Sequence, residues 1–172
     1  MKYFYFILSV LFLLGFLILL NILPLYFNRG LLREYANINE LKDSLKIQKI
    51  LLPAYLPEDI KWPPSRIFGQ TTPHFEIILE FESNKSYDTI LYLNLSEKHD
   101  FKYSDKFNIH NNSKTFHTII KNRPATIKAG FCNENIHCSE IIIRDSRYQI
   151  ILKGKMQLPI LLRIAESIQL KE

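Results

Sequence analysis

An α+β fold is predicted for this chain of 172 residues: a single N-terminal transmembrane helix, then an antiparallel β-sheet domain with an opening helix and a C-terminal covering helix. Three observations carry the expectation. Tyr3 to Asn28 hold no charged side chain. Segments between Phe75 and Lys153 repeatedly alternate apolar with polar positions, and the chain closes on an apolar-striped stretch, Leu158 to Leu170. With 47% hydrophobic and 23% charged residues, the composition excludes a disordered or collagen-like chain.

The first segment is apolar from Phe6 to Leu20, and a helix needs about 20 such residues to cross a hydrocarbon core of about 30 Å. Tyr3, Tyr5 and Tyr26 fall where headgroups would be, and Pro24 near the exit. Lys2 ahead of an apolar run also fits a signal peptide. That apolar core exceeds the usual length of about 7 to 15 residues, and no small-residue cleavage pattern or lipid-accepting Cys follows, which favours an uncleaved anchor. The expected organisation is an anchor (1–28), a juxtamembrane linker (29–36) and an extracytoplasmic α+β domain (37–172), with the bilayer as partner of residues 3–27. Lys2 and the α-amine argue for a domain outside the cytoplasmic (inner) membrane, while Arg29, Arg33 and Lys42 argue for the reverse. Long domains translocate despite charge, so the single-pass, extracytoplasmic arrangement is the expectation.

Asn37 to Leu52 places Ile38, Leu41 and Leu45 at helical spacing, with Asn37 or Asn39 to cap the start and Pro53 to stop it. Four prolines between Leu52 and Pro64 then forbid regular helix. The interleaved Tyr55, Leu56, Ile60 and Trp62 predict a strap across the domain with Trp62 buried. Phe75 to Glu82 alternates Phe75, Ile77, Leu79 and Phe81 against Glu76, Ile78, Glu80 and Glu82, a half-buried strand with an acidic outer face. Ser83 to Ser86 turns it into a second strand, Thr89 to Leu95. Further strands are predicted at 115–121, 125–129, 140–144 and 148–153. The final helix has Pro159 in its first turn, where a missing N–H costs nothing, and Leu161, Ile164, Ala165 and Ile168 on one face.

Two phrases, Leu52-Pro53-Ala54-Tyr55-Leu56-Pro57-Glu58 and Leu161-Leu162-Arg163-Ile164-Ala165-Glu166-Ser167-Ile168, resemble those of a family of uncharacterised bacterial membrane-anchored domains, some associated with anti-sigma-factor-like regions. That family opens on P-x-Y-L-P-E-G and closes on a helix containing L-L-x-I-A-E-S; its glycine is Asp59 here. The resemblance implies an envelope-facing sheet-and-helix domain and brings no catalytic residues.

Cys132 and Cys138 bracket a short loop containing His137. Even number, close spacing and an external domain favour a disulfide; free thiols and a metal or redox module using Cys132, His137 and Cys138 stay open as alternatives. His74, His99, His110 and His117 are scattered without ligand spacing. No nucleophile elbow, phosphate loop or zinc-protease helix is present, and no cofactor is implied, so an enzyme is not expected. The net charge of +5 is spread along the chain, unlike the clustered bases and aromatic platforms of nucleic-acid readers, and attraction to anionic headgroups is its plainer use. In the long polar segment from Ser96 to Ser113, Phe101, Tyr103, Phe107 and Ile109 recur at odd positions, as in a partner-binding loop or an edge strand folded onto its own core. The expected function is a non-catalytic binding domain of a membrane-anchored envelope protein, sensor-like or accessory to assembly. It would engage an envelope protein, peptide or lipid. A structural subunit of a membrane complex is the further alternative.

Overall fold

The computed structural model describes residues 12–18, 32–97, 107–109, 113–133, 135–145 and 148–171, and the chain divides into two compact units, Met1–Leu32 and Arg33–Glu172. In the first unit, residues 12–18 form a helix, α1. Among the described residues no helix is long and apolar enough to cross a membrane. The predicted transmembrane helix is therefore corrected, and the single-pass inner-membrane localisation built on it falls with it; the rest of segment 3–28 lies outside the described residues. The fold class is accordingly a mostly antiparallel sheet with short helices, not a membrane helix followed by a sheet domain.

The second unit runs β1 (Arg33–Tyr35), α2 (Ile38–Leu45), β2 (Ile50–Pro53), β3 (Arg66–Gln70), β4 (Glu76–Glu82), β5 (Thr89–Glu97), β6 (Lys114–Ile120), β7 (Arg123–Asn133), β8 (Ile136–Arg144), β9 (Tyr148–Gly154), α3 (Leu158–Ser167) and β10 (Ile168–Lys171). Eight strands form one antiparallel sheet in the order β1-β3-β4-β5-β9-β8-β7-β6, and β10 pairs with β2 in a separate ribbon. Strands β6 to β9 form an up-and-down run that folds back so that β9 closes against β5.

Strand pleating separates two faces. The first carries Ile67, Ile77, Leu79, Phe81, Leu91, Leu93, Ile141, Ile143, Ile150 and Leu152, all buried with Leu41 of α2 and Leu161, Ile164 and Ala165 of α3. α3 lies on β8 and β9, and α2 on β3 and β1. Gly69 allows the second of these contacts: a Cβ there would run into the side chains of Leu41 and Leu45.

α2 starts where the sequence says, with the Asn37 side chain accepting from the Glu40 amide at 2.9 Å and Glu40 Oε2 accepting from the Ala36 amide at 2.8 Å, a reciprocal cap. It ends earlier than expected, at Lys46 in left-handed conformation (φ 55°). The Ile-Leu-Leu that follows is drawn into β2 by pairing with β10, Leu52 opposite Gln169, a tertiary partner that outweighs helical periodicity.

The proline-rich strap lies across the domain. Its backbone is tied to β4 by Lys61 N–H donating to Glu82 O at 2.9 Å and by Asn84 N–H donating to Asp59 O at 2.8 Å. Trp62, expected to be buried, is 49% exposed; its ring stacks on buried Phe81 at 6.2 Å, and the Lys171 ammonium lies 5.9 Å from the ring centroid. The acidic outer face of β4 is the second correction. Glu76 and Glu80 are fully buried, and so is Ile78 between them.

Candidate binding surface

Cys132 and Cys138 form a disulfide with Cα atoms 5.6 Å apart, pinching the tip of the β7–β8 hairpin. With no free cysteine in the described residues, neither sulfur is a thiolate that could ligate a metal in this oxidised state. His137 instead packs its ring on Phe131, centroids 4.5 Å apart. Among the described residues no three His, Cys, Asp or Glu side chains are grouped to hold a metal ion.

Of the four residues expected to bind a partner, Phe101 and Tyr103 lie outside the described residues. Phe107 and Ile109 are buried, at 4% and 6% exposure. Ile109 packs beside Gly130 of β7, and the Lys155 ammonium sits 5.9 Å above the Phe107 ring. Both therefore pack inward instead of presenting an outer surface.

The second face of the sheet holds the most perturbed acid. Cross-strand register aligns Gln70, Glu76, Ser96 and Gln149. Asn94 Nδ2 donates to Glu76 Oε1 at 2.6 Å, and His74 Nε2 lies 3.7 Å from Glu76 Oε2. Glu76 Oε2 and Asn94 Oδ1 have no hydrogen-bond partner. Burial pushes the Glu76 carboxyl above the usual carboxylate range, and the Asn94 hydrogen bond and the nearby His74 offset only part of that. With Glu76 and Asn94 sealed from solvent, the arrangement can hold a proton but cannot meet a substrate. Two rows from Glu76 on the same face, Lys153 Nζ bonds Glu140 Oε2 at 2.8 Å, and Arg66 Nη1 stands 3.9 Å from Glu80 Oε2.

The opposite situation holds at the end of the sheet. β6 is the outermost strand, paired with β7 along its whole length, Lys114 opposite Ala129 through Ile120 opposite Arg123. Every residue from Lys114 to Ile119 is exposed, and only Ile120 is buried. Lys121 and Asn122 close the β6–β7 hairpin with positive φ (49° and 61°), the geometry of a tight two-residue turn. Lys121 Nζ fixes that turn to the Ile168 carbonyl at 2.8 Å. Along β6, Lys114, Phe116 and Thr118 fall on the first face, and Thr115, His117 and Ile119 on the second. Phe116 and Phe131 remain about half exposed, and Ile119 is 72% exposed.

An outer strand presents a row of backbone N–H and C=O groups that its own sheet does not use, which is a template for a further strand. β1, at the other end, has only three residues, too short for the same use. Sequence reading found β6 as a strand but did not single it out, because nothing local in Lys-Thr-Phe-His-Thr-Ile-Ile marks it as outermost. No family model, curated protein or solved structure matches the chain.

Proposed function

We propose that the Arg33–Glu172 unit is a non-catalytic protein-binding domain that takes an extended segment of its partner as an added strand along β6. The observation that carries this is the seven-residue outer strand Lys114–Ile120, exposed at its first six residues, with apolar Phe116 and Ile119 on its two faces to receive alternate side chains of the incoming strand. The stapled β7–β8 tip supports it by holding the neighbouring template rigid, so that little ordering entropy is lost on docking. The resemblance noted above points the same way, since it brings no catalytic residues; its two phrases meet in this fold, with Ala54 N–H donating to Ser167 O at 3.1 Å.

Selection of displayed random peptides against the whole chain tests the reading. Alternate residues of an edge strand send their N–H outward, so replacing Thr115, Phe116, His117, Thr118 and Ile119 by Pro one at a time should divide the variants in two. One alternating set should keep the wild-type melting temperature and lose the selected peptides; the other should lose stability. Peptides that bind every folded Pro variant as well as wild type would sink the proposal.

A further inference from the structure

The partner segment's chemistry is written in the charges around β6. Lys114 is the only formally charged residue of the strand. Lys128 on β7 lies one strand inward, opposite Thr115 of β6 on one side and Glu140 of β8 on the other, and Lys121 caps the turn. Of the nearby acids on β8 and after it, Glu140 is held by Lys153 at 2.8 Å and Asp145 by Arg123 at 3.2 Å. No carboxylate of the described residues lies within ion-pair distance of Lys114 or Lys128. Among the described residues the edge thus carries Lys114 and Lys128 on opposite faces, and Glu140, the acid opposite Lys128, is bonded to Lys153.

A strand added to β6 sits roughly 9.5 Å from β7, two strand spacings away. A Glu on it and the Lys128 side chain can meet over the short Thr115, while a second Glu stands beside Lys114 on the other face. Resting on the strand-addition reading above, we infer that the natural occupant is an acidic extended segment of another protein, with carboxylates at the Lys114 and Lys128 positions and apolar side chains against Phe116 and Ile119. A second copy of this chain fits less well. Antiparallel self-pairing about His117 would set Lys114 opposite Ile120 and next to the other copy's Lys121 at both ends, and like charges so placed are unfavourable. Complementary charge across a binding edge mainly sets partner choice and association rate.

Fluorescence anisotropy on the full-length chain can read this with three labelled peptides of one length: alternating Glu and Val, alternating Lys and Val, and the Glu-Val peptide with every second amide N-methylated. The expected result is roughly tenfold or greater preference for the acidic over the basic peptide, shrinking as salt screens the charges. N-methylation should abolish binding, and Lys114→Glu should reduce or reverse the preference. Equal binding of acidic and basic peptides, with N-methylation still disruptive, overturns the acidic inference and leaves strand addition standing. Equal binding of the acidic peptide and its N-methylated form overturns strand addition itself. No binding of the acidic peptide at millimolar concentration, or a concentration-dependent dimer that Ile119→Lys dissolves, overturns the acidic occupant.

Discussion

The Ser167 hydroxyl oxygen accepts from the Tyr55 amide at 3.1 Å across a sequence separation of 112 residues. The same oxygen lies 3.3 Å from the Tyr55 carbonyl and 2.7 Å from the Ile164 carbonyl. One side chain thus fastens the proline-rich strap to the end of α3, with the Arg163 guanidinium stacked 4.0 Å above the Tyr55 ring. Ser167→Ala removes the acceptor of a part-buried amide and should cost about 1–2 kcal/mol, read from urea midpoints at constant m. An unchanged midpoint would show that the strap is held without it.

Glu76→Gln should stabilise the domain at neutral pH by about 1 kcal/mol, because a neutral amide avoids burying charge and can donate to the orphaned Asn94 Oδ1. The folded state raises this carboxyl's pKa, so between the unfolded and folded values it binds more protons than the unfolded chain does. Its contribution is most favourable below the ordinary Glu value and is lost as pH rises through the raised one. Thermal melts across that window should fall for wild type relative to Glu76→Gln. Parallel curves would mean that folding leaves the proton affinity of the Glu76 carboxyl unchanged.

Replacing both Cys132 and Cys138 by Ser should lower stability by about 2 kcal/mol, the loop-closure value for so short a ring. Cys138 is buried, so the added hydroxyl there increases the loss. Amide exchange should accelerate first at the β7–β8 tip and least in β4 and β5. Uniform acceleration would indicate that the staple supports the whole sheet.

Ile119→Lys should change stability by less than about 0.5 kcal/mol, since the side chain is largely in water. It should leave self-association unchanged, because pairing of two β6 edges already brings Lys114 of one copy beside Lys121 of the other. Light scattering at rising concentration measures this, and a dimer that the substitution dissolves would show that the edge pairs with itself.

Much of the sheet was legible because alternation survives wherever one face is dry. Ile77, Leu79 and Phe81 announced β4, and Leu91 and Leu93 its partner. Alternation states that two faces differ, not that the polar one is wet, which is why Glu76 and Glu80 were read as solvated when they are sealed. β1, β3 and β10 were missed because three to five residues are too few to show a period. β2 was absorbed into a helix for want of its remote partner, and the apolar N-terminal run was read as one continuous span. At the binding surface, the disulfide could be favoured from spacing. The exposure of β6 could not, since being outermost is a property of strand order and no local residue encodes it.

The pairing of β10 with β2 has a temporal consequence. Ile50 meets Lys171 and Pro53 meets Ile168, so this ribbon joins two of the most widely separated segments of the domain. During synthesis β2 leaves the ribosome long before β10 exists. For all that time Leu51 and Leu52 have no strand to pair with, while the β6–β9 run, built from neighbouring segments, can already form. Protection of the nascent domain from protease should therefore arrive in two steps, the second only after Lys171 has cleared the exit tunnel.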